Sequence, residues 1–207
     1  STRHNPEFTM LELYQAYADY ESMMDLAETL ITTLVERVLG STSINFQERQ
    51  IDFSRPWKRL SMLEAVKHYA GLDLSTLTDE NLARKAAKEL GVKTENSDTW
   101  GQILNKIFEE KVESELVQPT FIYDYPIEIS PLAKRKEDSP ELTYRFELFI
   151  NGWEIANAFS ELNDPADQRE RFMFQLEKRK AGDDEAHMMD DDYVNALEYG
   201  MPPTGGL

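Results

Sequence analysis

The sequence feature that most constrains the fold is an Asn151-Gly152 dipeptide between two alternating apolar and polar runs, 142–150 and 153–161. Asn-Gly favours a two-residue type I′ turn, because both central residues of that turn need positive φ. The two runs therefore predict an antiparallel hairpin of two long strands. The turn sets the expected pairs, which are Ile150 with Trp153, Phe149 with Glu154, and Glu147 with Ala156.

Helical and strand-like periods alternate along the rest of the chain. An apolar run from Met10 predicts a strand that leads into a long amphipathic helix ending at Gly40. Three amphipathic segments in the middle of the chain predict helices, with Thr78 or Asp79 as one N-cap and Ser97 or Asp98 as another. The other predicted elements are a short hairpin at 43–53, a strand at 120–125, a helix at 165–180 and a short helix after it.

This order of strands and helices predicts an α+β fold, an antiparallel sheet flanked by helices. The chain has no internal repeat and no linker long enough to separate independent units. We therefore expect one domain over residues 1–207, with a helical insertion at about 60–117.

Acidic residues dominate the charge, with 39 Asp and Glu against 22 Lys and Arg and a net charge of −17. A negative surface repels phosphate backbones, so nonspecific nucleic-acid binding by this chain alone is disfavoured. The absence of cysteine excludes disulfides and thiolate metal sites. No apolar run is long enough to cross a membrane, so we expect no membrane partner and a cytoplasmic protein.

Glu147 and Glu154 are diagonal neighbours on one face of the predicted hairpin. Long side chains converge from such positions, and two converging carboxylates repel unless a proton or a hard cation lies between them. A magnesium site is the specific interpretation of this pair. A solvated face with two surface charges is the simpler one, and the hairpin alone favours it.

A second stripe on the hairpin contains an amide, an aromatic ring and a carboxylate, at Asn157, Phe159 and Glu161. Such a stripe suits a small cationic ligand. Strict alternation puts it on the face opposite Glu147 and Glu154. Either the sheet holds two sites, or a bulge between Ile155 and Asn157 brings the stripes together.

Near the start of the chain, Glu12 and Tyr14 share a strand face with Met10. Taken alone, they indicate a solvated carboxylate and an interfacial aromatic ring.

Four stretches of the sequence resemble the catalytic domain of class II lysyl-tRNA synthetases of bacterial type. They are RHNPEFTMLELYQAYADY, QPTFIYDYPIEISPLAK, RFELFINGWEIANAFSELNDPADQRERF and AGDDEAHMMDDDYVNALEYGMPPTGGL. The resemblance covers the whole chain, and the joint occurrence of the four blocks in this order is highly specific.

The resemblance implies an enzyme that condenses lysine with ATP to lysyl-adenylate and transfers the lysyl group to tRNA(Lys), with Mg²⁺ on the ATP phosphates. It also implies that Phe8 stacks on adenine and that Glu161 and Tyr14 hold the ε-ammonium of lysine. The intact enzyme is expected to be a homodimer. The matching positions are Arg3, His4, Asn5 and Phe8 for ATP, then Glu12, Tyr14, Asn157, Phe159 and Glu161 for lysine, and Glu147 and Glu154 for magnesium.

The sequence departs from the family pattern at both ends. It lacks the anticodon-binding domain, the first motif and the arginines of the second and third motifs. We therefore expect a partial catalytic domain that forms no lysyl-adenylate by itself. The alternatives are a paralogue that attaches a lysine-type residue to a translation factor and a non-catalytic module that binds cations. A glycosidase that uses Glu147 and Glu154 as acid and base is a third, although nothing else in the chain indicates a sugar.

Overall fold

The computed structural model describes residues 5–180 and 188–207. Six α-helices and eight strands are the main elements of this part of the chain. The helices are α1 (Tyr20–Leu39), α2 (Met62–Ala70), α3 (Glu80–Glu89), α4 (Trp100–Lys111), α5 (Pro165–Lys180) and α6 (Asp191–Glu198). The strands are β1 (Tyr14–Ala16), β2 (Ser43–Phe46), β3 (Arg49–Asp52), β4 (Lys58–Ser61), β5 (Thr120–Tyr123), β6 (Arg145–Ile150), β7 (Trp153–Ser160) and β8 (Thr204–Gly206).

Six of these strands form one sheet in the order β1-β8-β7-β6-β5-β4. All neighbours are antiparallel except β4 and β5, which are parallel. Parallel neighbours need a long crossover, and here it contains α2, α3 and α4. Strands β2 and β3 pair as a separate hairpin. The predicted α+β fold with a sheet flanked by helices is confirmed.

The two faces of the sheet are covered by different helices, because successive strand residues point to opposite sides. On one face, Phe121 and Phe146 pack in a buried cluster with Met23 and other residues of α1. On the other face, Ile122 and Phe149 join a cluster formed mainly by α2, α3 and α4. These helices cover the second face at β4, β5 and the turn end of β6, and the candidate site lies on the part of this face towards β1.

Local signals in the sequence explain where most helices begin and end. Asp19 caps α1 by accepting a hydrogen bond from the backbone N–H of Ser22 at 2.8 Å. That helix ends at Gly40, which has a φ of 72° in the left-handed region that glycine tolerates. Asp79 caps α3 as predicted.

Four details of the prediction need correction. The N-cap of α4 is Thr99, because its hydroxyl and the side chain of Gln102 form a reciprocal capping box. The strand expected from Met10 begins only at Tyr14. The short strands β4 and β8 were not predicted from the sequence. Glu147 pairs with Asn157 rather than with Ala156, for a reason given below.

No helix in the described ranges combines the length and the apolar character needed to cross a membrane.

Candidate functional site

The hairpin of β6 and β7 contains a bulge that decides which side chains share a face. Phe149 pairs with Glu154 as the Asn-Gly turn predicts, but Leu148 then pairs with Ala156. Ile155 is therefore an extra residue without a partner on β6. The bulge lies immediately before the position suggested by the sequence, and it reverses the alternation of everything that follows on β7.

Because of this bulge, the two polar stripes of the hairpin lie on one face. Asn157 is directly opposite Glu147, and Phe159 is directly opposite Arg145. Phe149 and Glu154 form the next pair on the same face. The interpretation of two separate sites on opposite faces is wrong, because it assumed strict alternation along β7.

The same face continues across the sheet to β1. Gly206 of β8 pairs with Phe159 on one side and with Tyr14 on the other. A row of four residues therefore crosses four strands, in the order Tyr14, Gly206, Phe159 and Arg145. Tyr14 is 69% exposed, so this end of the face is open to solvent.

Glu161 follows the end of β7, and its carboxylate lies beside Gly206. The residue is only 8% exposed, and burial raises the pKa of its carboxyl to about 7. A Cβ at position 206 would collide with Oε1 of Glu161 and would lie 3.0 Å from Cε1 of Tyr14. Glycine at 206 thus leaves the space that this carboxylate occupies.

Two tyrosines lie within electrostatic range of the Glu161 carboxylate. Desolvation raises the pKa of Tyr14, and the charges of Glu161 and Glu12 raise it further. Burial raises the pKa of Tyr193, with smaller contributions from Glu161 and Tyr14. No cation in the described part of the chain forms an ion pair with Glu161. The pocket therefore has the polarity expected for a cationic ligand.

Glu147 is held from two sides. Its Oε1 accepts a hydrogen bond from a terminal nitrogen of Arg145 at 2.7 Å, and its Oε2 accepts one from Tyr125 Oη at 2.8 Å. Burial raises the pKa of Glu147 to about 7; the charge of Arg145 acts against this increase and that of Glu154 adds to it. Desolvation also raises the pKa of Glu154. The Glu154 carboxylate is therefore close enough to influence the ionisation of Glu147.

Comparison with known proteins assigns the chain to a family. Residues 1–207 match the family model described as tRNA synthetases class II (D, K and N). The chain belongs to these class II synthetases. It is 64% identical to the lysine–tRNA ligase of Pelotomaculum thermopropionicum, 61% to that of Carboxydothermus hydrogenoformans and 58% to that of Bacillus subtilis. Each match covers 100% of the chain but only 41% or 42% of the relative.

Arg145 lies in the candidate site of this synthetase chain, and the sequence interpretation missed it. Its Nε donates to Oδ1 of Asn157 at 3.0 Å, and its terminal nitrogens donate to Glu147 and to the backbone oxygen of Ile129. The guanidinium also lies 4.7 Å from the ring centre of Tyr125. Its position two residues before Glu147 on an alternating strand was the signal that could have revealed it.

Two of the predicted ATP residues, Asn5 and Phe8, are not brought together with the sheet residues. Asn5 and Phe8 precede β1 and lie outside the six-stranded sheet. Both are exposed, Phe8 to 73%. Arg3 and His4 lie outside the described residues. Glu12 is exposed on the approach to Tyr14.

Proposed function

We propose that this chain forms the amino-acid pocket and part of the ATP site of a lysine–tRNA ligase. The whole enzyme activates lysine with ATP and transfers it to tRNA(Lys). One observation carries the proposal: Glu161 is a buried carboxylate without an ion pair in the described residues, and it lies beside an open face lined by aromatic and amide groups. The 58–64% identity to lysine–tRNA ligases supports the same amino acid.

The residues of this pocket match the chemistry of a lysine side chain, which is an apolar stem with a compact ammonium group at its end. A buried ammonium needs a carboxylate and further acceptors around it. Glu161 supplies the charge, and Tyr14 Oη supplies a second acceptor. Phe159 gives the stem an apolar wall, and Asn157 offers a polar group further along the face.

Activation of lysine requires positioning more than a protein nucleophile. The lysine carboxylate oxygen attacks the α-phosphorus of ATP, the bond to the bridging oxygen breaks, and pyrophosphate leaves. The residues of this face bind and orient the amino acid for that attack. Arg145 keeps Asn157 and Glu147 in fixed positions, because its guanidinium donates to both side chains.

Glu147 and Glu154 fit Mg²⁺ by their donor chemistry. Both are carboxylates with a raised pKa, and the charge of Glu154 contributes to the increase at Glu147, so a hard cation would favour their ionised forms. No group of three carboxylate, cysteine or histidine side chains that could hold a metal ion occurs in the described residues. When bound, the ion would reduce the negative charge of the phosphates.

The remaining assignments belong to the same proposal. Arg3, His4, Asn5 and Phe8 contribute to the ATP site. Residues 1–207 form one partial catalytic domain, with a helical insertion at about 60–117. The whole enzyme is a homodimer that works in the cytoplasm on lysine, ATP and tRNA(Lys). The paralogue that modifies a translation factor and the non-catalytic module gain no support from the relatives.

A chimera tests this proposal. The chain replaces the aligned 207 residues of the Bacillus subtilis lysine–tRNA ligase, and lysine-dependent ATP–pyrophosphate exchange is measured. We expect exchange in the chimera, and a loss of about 100-fold in kcat/KM for lysine in Glu161→Gln, because a buried charge loses its partner. Glu177→Gln, an exposed carboxylate of α5, is the matched control.

Two results would contradict the proposal. One is a folded chimera, judged by circular dichroism and gel filtration, that exchanges pyrophosphate equally well with Glu161→Gln. The other uses the 207-residue chain itself, so that it does not depend on the chimera. Calorimetric titration with L-lysine should show binding that Glu161→Gln removes, and identical heats for both proteins would count against the pocket.

A further inference from the structure

A basic groove lies on the helical part of the chain, between α3, residues 91–98 and α4. Its volume is about 980 Å³. Among the described residues that line it, Glu95 is the one carboxylate. The cations in its lining are Arg84, Lys85, Lys88, Lys93 and Lys106. This local excess of positive charge is the opposite of the net charge of −17 carried by the whole chain.

Two of the five cations, Arg84 and Lys106, form contacts that stabilise the groove itself. The guanidinium of Arg84 donates to the backbone oxygens of Glu95 at 3.0 Å, Asn96 at 3.0 Å and Asp98 at 2.9 Å. Lys106 Nζ lies 2.7 Å from the buried carboxylate of Asp98. These contacts fix the loop 91–98 against α3 and α4, so the groove has a rigid frame.

The other three cations, Lys85, Lys88 and Lys93, are exposed. None of them forms an ion pair within residues 5–180 and 188–207. Lys85 and Lys88 are three residues apart on α3 and therefore neighbours on one helix face. Flexible ammonium groups on an open surface suit a series of phosphates. A small anion would instead need a closed pocket with fixed donors.

We propose that this groove binds the sugar–phosphate backbone of the RNA substrate. The choice of RNA over an acidic protein rests on the proposed function. Geometry supports it as well, because α2, α3 and α4 pack on the face of the sheet that holds the candidate site. The groove and the candidate site therefore lie on the same side of the sheet, where one RNA would contact both. The groove would add affinity without reading sequence, since phosphate contacts carry no base information.

The test measures the binding of a tRNA(Lys) transcript by fluorescence anisotropy at several salt concentrations. The proteins are the chimera and the 207-residue chain, each with and without Lys85→Glu plus Lys88→Glu. We expect the double variant to raise Kd by about tenfold and to lower the slope of log K against log salt by roughly 1.5, as two lost phosphate contacts require. Arg37→Glu plus Lys180→Glu, exposed on other helices, makes the same charge change and should shift Kd less than twofold.

Several outcomes separate this inference from the proposed function. Equal Kd values and equal salt slopes for the groove variant and the control variant would overturn it. A groove variant that loses binding of polyglutamate but not of tRNA would also overturn it, and would indicate an acidic protein partner. Lysine-dependent pyrophosphate exchange should be unchanged in the groove variant. If the unmutated chimera shows no lysine-dependent exchange, the proposed function is contradicted. The RNA-binding measurement does not depend on that result.

Discussion

Gly206 limits the shape of the candidate pocket, because it lies between Tyr14 and Phe159 and beneath the Glu161 carboxylate. We predict that Gly206→Ala displaces this carboxylate and lowers the affinity for lysine at least tenfold. The added methyl group would collide with Oε1 of Glu161. Calorimetry with L-lysine measures the loss. Unchanged affinity would show that the carboxylate does not bind the ligand from its position in the structure.

The adjacent Gly205 provides the control for this substitution. A Cβ there would lie 2.8 Å from Cγ of Met23 and 3.0 Å from the backbone oxygen of Asp19, on the side of α1. Gly205→Ala should therefore overpack the core and lower the free energy of unfolding by about 1–3 kcal/mol. The lysine affinity of the folded protein should stay the same, since the side chain points away from Glu161.

The position of the bulge in β7 lets us predict how single-residue deletions affect lysine binding. Ile155 has no partner on β6 and is 47% exposed, so its removal leaves every other pair of the hairpin intact. Removal of Ala158, which lies beyond the bulge, shifts Phe159 and Glu161 by one residue and turns them to the opposite face. We expect lysine binding to persist without Ile155 and to disappear without Ala158.

Urea unfolding of the two deletion variants accompanies the lysine titrations. The variant without Ile155 should keep a cooperative transition, because no buried contact is removed. If both deletions abolish lysine binding to the same extent while both proteins remain folded, the bulge itself, rather than the face on which the residues lie, is what the pocket needs.

The bulge also shows where sequence-based prediction of this fold ends. The Asn151-Gly152 turn and the helix caps are local signals, and they correctly predicted the hairpin, α1 and α3. The pairing of Glu147 with Asn157 depends on an extra residue in β7, and the sequence offered such a bulge only as one of two alternatives. Strand β4 could not be predicted either. It has only four residues and pairs in parallel with β5 across a long crossover, so no tight turn in the sequence marks the pairing.

For the candidate site, the family resemblance predicted more of the residues that share a face than the periodicity of the sequence did. It selected Tyr14, Asn157, Phe159 and Glu161 as one pocket beside the pair Glu147 and Glu154, although strict alternation placed the stripe of Asn157, Phe159 and Glu161 on the face opposite that pair. The role of Arg145 was not predicted, because its contacts reach Ile129 and Ser130 in a loop distant in sequence. Such contacts become visible only when the sheet and the loop are placed together.

Charge in the whole molecule is segregated rather than spread evenly. The net charge of −17 suggested a surface that repels phosphates, yet the groove beside α3 concentrates cations. Carboxylates are instead collected in the site, where Glu161 is buried and Glu147 is partly buried, and each has a pKa raised to about 7. Desolvation is the largest cause of the raised pKa at both positions, so ionisation of these groups in the folded state costs free energy.

This cost predicts how the stability of the 207-residue chain depends on pH. Both groups have a pKa near 4.5 when unfolded and about 7 when folded, so between these values the folded state binds more protons. Stability should therefore fall as pH rises from about 5 to 7, by up to about 3 kcal/mol per group, and level off above pH 7. Asp19 and Asp167, whose pKa values are lowered, act only below about pH 4. Urea unfolding across this range measures how the free energy of unfolding depends on pH. We expect a weaker dependence in the double variant Glu147→Gln plus Glu161→Gln. The same dependence in that variant would rule out these two carboxyl groups as its source.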